Sequence, residues 1–250
     1  MYTKSILLLA LSTASMVSAH GKILAVTGDA GGNGTALGIK GASVATFGTN
    51  SATEKDTTVF GGNANKPMTD GLGKTAASGK LTMAMLSEAV AQSGTTLPQV
   101  SASGGSINGT WRIVTSDGTA NNKAGDLFAV VDPTGTGAYS KGTQLTVSTS
   151  MVGNGKGNVV QRAVASALRA VGIQRRATNV GADAGFSVKI PAGTTCTGSD
   201  ATTGMKNVCL LKVANNNNNG PFGGNVAFQI AGTSTAAANT TAKREESFQA

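Results

Sequence analysis

His20 is the single histidine of this 250-residue chain, and its position decides what it could do. Lys4 precedes the apolar run Ile6-Leu7-Leu8-Leu9-Ala10-Leu11, and Val17-Ser18-Ala19 supplies small residues of the kind accepted before a signal-peptidase cut. Residues 1–19 are therefore predicted to be a removable leader, with the mature chain beginning at His20. The freed α-amine and the imidazole of an N-terminal histidine can together chelate one Cu(II), which makes His20 the sharpest metal-ligand candidate. Asp29 could complete only a weaker site, because carboxylate oxygen suits copper less well than imidazole.

Other chemistry finds fewer parts. A Ser-His-Asp triad would have to use His20 itself, and no Gly-x-Ser-x-Gly elbow presents a nucleophile. A glycosidase needs two facing carboxylates. Asp29, Asp70, Asp117, Asp126, Asp132 and Asp183 qualify by type alone, and each is expected in a turn. Gly28-Asp29-Ala30-Gly31-Gly32-Asn33-Gly34 has the glycines of a phosphate cradle but not the Lys-Ser/Thr that would follow, so it is read as a loop. Trp111, Tyr139 and Phe222 could stack on sugar rings; in a chain with so few aromatics they are expected in the core.

Charge and cysteine usage narrow the setting. Twenty Lys and Arg against 12 Asp and Glu leave a net charge of +8, which favours anionic surfaces such as acidic polysaccharide or phospholipid headgroups. Nucleic acid is excluded as an expectation: the basic residues are scattered and no nucleic-acid motif is present. Cys196 and Cys209 are the only cysteines, and an even count in an exported chain implies one structural disulfide. Asn33-Gly34-Thr35, Asn108-Gly109-Thr110 and Asn239-Thr240-Thr241 match the N-glycosylation acceptor pattern, making Asn33, Asn108 and Asn239 candidate sites. No apolar run reaches the roughly 20 residues of a membrane span. Nothing specifies an oligomeric state.

The elements that must position these residues are mostly short strands. Ile23 to Val26, Ile107 to Val114, Leu127 to Val131, Leu145 to Val147, Phe186 to Ile190, Val208 to Val213 and Val226 to Ile230 alternate or run apolar between Gly-rich turns. The second, third and fourth of these look like sheet neighbours, with Asn108-Gly109 loosening the second. Apolar residues at helical spacing predict helices over Leu81 to Ala91 and Val160 to Val171, the latter packing its apolar face although Arg175-Arg176 extend it with charge. Gly41 to Thr75 reads as irregular connections and Asn215 to Asn219 as an exposed polar loop. The fold expected is a mainly β, antiparallel β-sandwich with one or two short inserted helices and long Gly-rich loops. One domain is expected over residues 20–231, followed by a disordered tail over 232–250.

Several short blocks then occur in order: His20-Gly21, Gly28 to Gly38, Thr96-Leu97-Pro98-Gln99-Val100, Cys196-Thr197-Gly198, Asn207-Val208-Cys209-Leu210 and Gly220-Pro221-Phe222-Gly223-Gly224. Together they resemble the fungal Egh-like virulence-factor family, the MAS-type appressorium-associated cell-surface proteins, from His20 to about Ala231. The resemblance implies a secreted fungal protein, extracellular or in the cell wall, associated with infection structures. Its members usually carry more cysteines; Lys212 and Asn225 stand where some of these are expected. The expected role is non-catalytic binding at the wall or host surface, with wall polysaccharide as partner and no cofactor. The alternative is a copper-binding or copper-dependent polysaccharide mono-oxygenase-like protein using His20. It is similar in outline to the copper-dependent polysaccharide mono-oxygenases, whose histidine brace needs a second imidazole that this chain lacks.

Overall fold

The computed structural model describes residues 20–40, 55–61, 67–114, 127–149, 183–215 and 220–232. The mainly antiparallel β class is what it shows. Thirteen strands form one hydrogen-bonded sheet: β1 (Gly21–Gly28), β2 (Gly31–Gly34), β3 (Thr58–Val59), β4 (Lys74–Thr75), β5 (Gly79–Lys80), β6 (Gln99–Val100), β7 (Gly105–Ile113), β8 (Leu127–Asp132), β9 (Thr143–Thr149), β10 (Asp183–Ile190), β11 (Gly198–Ser199), β12 (Lys206–Asn215) and β13 (Phe222–Ile230). The strand order is β2-β1-β7-β10-β9-β8-β12-β13-β3-β4-β5, with β11 beside β12 and β6 running parallel to β13.

Strand β9 is where the sheet changes partners. Its first half, Thr143 to Thr146, pairs with β8, and its second half, Val147 to Thr149, pairs with β10. A strand that shifts partner along its length turns a corner. The arm β1-β7-β10 and the arm β8-β12-β13 consequently bury their inner faces in the same core. Ile23, Val26, Trp111, Phe186 and Val188 come from the first arm; Ala129, Leu211, Val213, Val226 and Phe228 come from the second. Cys196 and Cys209 join inside that cluster as a disulfide, tying the chain just past β10 to β12.

The second arm is buried on its other face as well. Phe128, Val130, Leu210, Ala214 and Ala227 point into a second cluster roofed by Leu37, Phe60, Leu72, Leu86, Leu97 and Tyr139. Burial on both faces explains why β8 and β12 read as continuous apolar runs while β10 alternates. Part of that roof is helix α1 (Leu86–Ser93), which begins later than the predicted Leu81 because Met83–Met85 form a 3₁₀ turn first. Leu86 and Ala89 are its buried side chains.

Several expectations are corrected. Gly28 to Gly34 is a hairpin, not a loop: Gly31, at φ 101° in the left-handed region open to glycine, starts β2, which pairs back onto β1. Asn108-Gly109 does not loosen β7. Gly109 faces inward, where a Cβ would lie 2.4 Å from the Phe186 ring, so the glycine is the packing partner of that phenylalanine. Strand β10 intervenes between β7 and β9, so the three runs read as neighbours are not contiguous. Within Gly41 to Thr75 lie the short strands β3 and β4. Asn215 ends β12 buried, its Oδ1 accepting from the Phe222 N–H at 2.9 Å. The predicted leader, the helix over Val160 to Val171 and the tail from Gly232, except Gly232 itself, lie outside the described residues.

Lys22 on β1 is fully buried and its Nζ donates to Asp56 Oδ1, while Asp56 Oδ2 accepts from the Lys40 N–H at 2.8 Å. Beside Lys22 in the register stands Arg112, bidentate to Asp183 at 2.7 and 2.9 Å. Burial lowers the Lys22 ammonium below its ordinary value, against the hydrogen bond and charge of Asp56, and the Arg112 charge lowers it further. Removing one member of a buried pair strands the other charge in a poorly solvating site. Asp56→Asn is expected to lower the unfolding free energy by about 3–5 kcal/mol, and the double variant K22M/D56L to lower it by clearly less. Urea unfolding of the three proteins measures both.

Candidate functional site

His20 opens β1. Its carbonyl accepts from the Val114 N–H at 2.9 Å, and its ring is tilted at 45° against Phe222 with centroids 4.0 Å apart. The imidazole thus rests on an aromatic of the Gly-Pro-Phe-Gly-Gly block. Among the described residues, no three of His, Cys, Asp and Glu gather as a metal cluster would require.

The carboxylates are spent on turns and ion pairs. Asp29 Oδ1 accepts from the N–H groups of Ser101 and Ser106 at 3.3 and 3.0 Å; burial raises the acid, and these hydrogen bonds outweigh it to leave its pKa lowered. Asp70 takes the Ser140 N–H at 2.6 Å and its hydroxyl at 2.8 Å, which hold that carboxyl low. Buried Asp132 accepts from Thr134, Thr136, Gly137 and Ala138 backbone N–H groups. Asp183 is the partner of Arg112. Asp117, Asp126 and Asn239 lie outside the described residues. Trp111, Tyr139 and Phe222 are core residues, at most 2% exposed, as expected of them.

The turn built on Asp132 delivers Tyr139 to a polar cluster that sequence reasoning did not assemble. Tyr139 Oη donates to Asn225 Oδ1 at 2.7 Å, and Asn225 Nδ2 donates to the Leu72 carbonyl at 2.7 Å. Lys212 lies directly opposite Asn225 in the β12–β13 register. Its Nζ donates to the Thr69 carbonyl at 3.0 Å and sits 4.5 and 5.1 Å from the ring centroids of Phe60 and Tyr139, a cation held by aromatic faces. Burial pulls the Lys212 ammonium down to about 8, with Asp70 opposing the shift. Burial, and secondarily the Asp132 charge, keeps the Tyr139 phenol protonated far above its usual value. A lysine inside the apolar run Val208 to Val213 was the available signal. What it could not reveal was the Asn225 opposite and the rings above. The cluster is closed from solvent and serves the second layer.

The exposed chemistry lies on the outer face of the first arm. Asn33 on β2 pairs with Thr27 on β1, Thr27 with Asn108 on β7, Asn108 with Ser187 on β10, and Ser187 with Ser148 on β9. Directly opposed residues point to the same side of a sheet, so these five short polar side chains form one row across five strands. Four are exposed and Ser187 is half-exposed. At a strand spacing of about 4.8 Å the row runs roughly 19 Å. Ser106 and Lys189 stand along one side of it and Thr110 and Gly185 along the other.

Fold and site together define a disulfide-stapled antiparallel β protein with a small-residue polar face and a sealed cationic layer. The chain belongs to the Egh16-like virulence factor family, whose model matches residues 18–223. It is 30% identical over 236 residues to the appressoria-specific virulence factor GAS1 of Pyricularia oryzae, an alignment covering 94% of this chain and 81% of that protein. No solved structure matches the chain. Among the described residues, no helix is long and apolar enough to cross a membrane.

The lowered Lys212 value fixes a pH response. Below about 8 both folded and unfolded chains hold the proton; above it the folded chain has released a proton that the unfolded chain keeps until the ordinary lysine value, so this group makes stability rise with pH. Between about pH 7 and about pH 9.5, wild type is expected to gain about 2 kcal/mol relative to Lys212→Met. Paired denaturant melts at the two pH values test it; parallel curves would show that Lys212 does not titrate there.

Proposed function

We propose that this is a secreted, non-catalytic protein that binds neutral wall polysaccharide through the outer face of the β2-β1-β7-β10-β9 arm. The single observation that carries the reading is the row Asn33-Thr27-Asn108-Ser187-Ser148, five hydroxyl and amide side chains in register on one exposed face. Each such group both donates and accepts, as does each sugar hydroxyl. Short side chains on paired strands lose little conformational freedom on binding. The row itself carries no charge that a neutral polymer would have to desolvate. Membership in a virulence-factor family and the likeness to an appressoria-specific protein support an extracellular role. The family match begins at residue 18, close to the predicted mature start at His20, which supports the removal of residues 1–19.

The full chain, made in a bacterial host that exports and oxidises it, is expected to be retained on at least one of chitin, β-glucan and cellulose. Replacing Ser148 and Ser187 together by Glu should weaken retention about tenfold, the effect of losing one or two hydrogen bonds of about 1 kcal/mol each. Retention on none of the three polymers, or unchanged retention of the double variant, would remove this reading of the face.

A further inference from the structure

The same row contains two of the three acceptor triplets, and the fold gives that coincidence a consequence. Asn33 and Asn108 stand two strands apart in one line, both exposed, with Thr27 between them. In Asn108-Gly109-Thr110 the alternation of β7 turns Asn108 and Thr110 outward together, while Gly109 turns inward beneath Phe186. The core therefore requires the glycine, while the exposed Asn108 amide makes only a long surface hydrogen bond, donating to Ser106 Oγ at 3.4 Å. In Asn33-Gly34-Thr35 the threonine hydroxyl is buried and donates to the Leu24 carbonyl at 2.8 Å, so that triplet has a structural use in the folded chain. Asn108 is also the central member of the five-residue row.

We propose that Asn108 is an N-glycan attachment site and that occupancy there closes the polysaccharide-binding face. The inference rests on the face being the binding surface. Attachment forms a bond from Asn108 Nδ2 to the anomeric carbon of a lipid-diphosphate-linked oligosaccharide, the co-substrate of the secretory transferase. The bond from that carbon to the diphosphate oxygen breaks, the lipid diphosphate leaves with the electron pair, and the amide gives up one proton. The product places a branched sugar at the centre of a row about 19 Å long, where a polymer crossing the strands would have to lie. Glycosylated and unglycosylated molecules would then be two populations, one with a covered face and one able to bind.

The test compares three preparations of the full chain: the bacterial protein, the wild type secreted by a fungal host, and Thr110→Val secreted by the same fungal host. Thr110→Val abolishes the acceptor triplet while leaving Asn108 in place, and valine suits an outward strand position. Glycopeptide mass spectrometry is expected to find hexose-containing glycan on the wild-type Asn108 peptide and none in Thr110→Val. Retention on the polymer that holds the bacterial protein is expected to fall about tenfold in the fungal wild type and to recover in Thr110→Val, a difference of about 1.4 kcal/mol. An unmodified Asn108 peptide, or a glycosylated wild type retained as well as Thr110→Val, overturns the proposal while the bacterial protein still binds. Failure of the bacterial protein on every polymer instead removes the binding face itself, and the gate with it.

Discussion

Burial of β8, β12 and β13 on both faces is the constraint that organises the molecule. Strands enclosed from both sides cannot spend alternate positions on solvent, so each side chain must either pack or find a partner. That demand is met by apolar residues at most positions and by partnered polar residues at the others, Asp132, Asn215, Gln229 and the pair at the centre, Lys212 and Asn225. Their placement opposite one another on adjacent strands lets one roof serve both: Tyr139 satisfies the amide, and its ring and that of Phe60 face the ammonium. The roof in turn depends on the turn that Asp132 folds around itself, because that turn presents Tyr139. A chain of causes thus runs from one buried carboxylate to the integrity of the central strands.

The first arm follows a different rule. With its inner face in the shared core and its outer face open over the polar row, it alternates, and the small outward residues of β7, β9 and β10 are the result. Its closed end shows what happens where the same face is covered: Lys22 and Arg112 are buried there, and each is paired with a carboxylate, Asp56 and Asp183. Covered and open parts of one sheet face therefore differ in chemistry, ion pairs in one and, in the other, hydroxyls and amides with Lys189 beside them.

This division also explains what could be read from residues alone. Strand positions were legible because both signatures, the alternation of Phe186, Val188 and Ile190 and the continuous run Leu127 to Val131, come from local burial. The disulfide was legible because only two cysteines exist. Strand order was not, since β10 inserts between β7 and β9 from far along the chain, and pairing across such distances leaves no local mark. The hairpin at Gly31 was hidden by its own glycines, which signal turns more strongly than strands. The candidate face was least legible of all. Asn33, Thr27, Asn108, Ser187 and Ser148 are common residues at unremarkable positions, and only the register of five strands makes them one surface.

That last point bears on where the chain's chemistry is placed. Among the described residues, the perturbed groups Lys22, Lys212 and Tyr139 are buried inside the fold and held by structural partners, while the exposed Asp29 and Asp70 are held low by the hydrogen bonds of their turns. In the proposed binding mode the exposed groups are weak individually and gain from repetition, since a polymer that satisfied one register position would meet the next at the same spacing. Rigidity is what makes repetition useful. The doubly buried arm and the disulfide hold the core against which the open arm is packed, so that the outer row keeps its spacing while carrying no large side chain of its own. The open arm adds its own support, since its inner face lies in the shared core and its covered end is held by the Lys22–Asp56 and Arg112–Asp183 pairs.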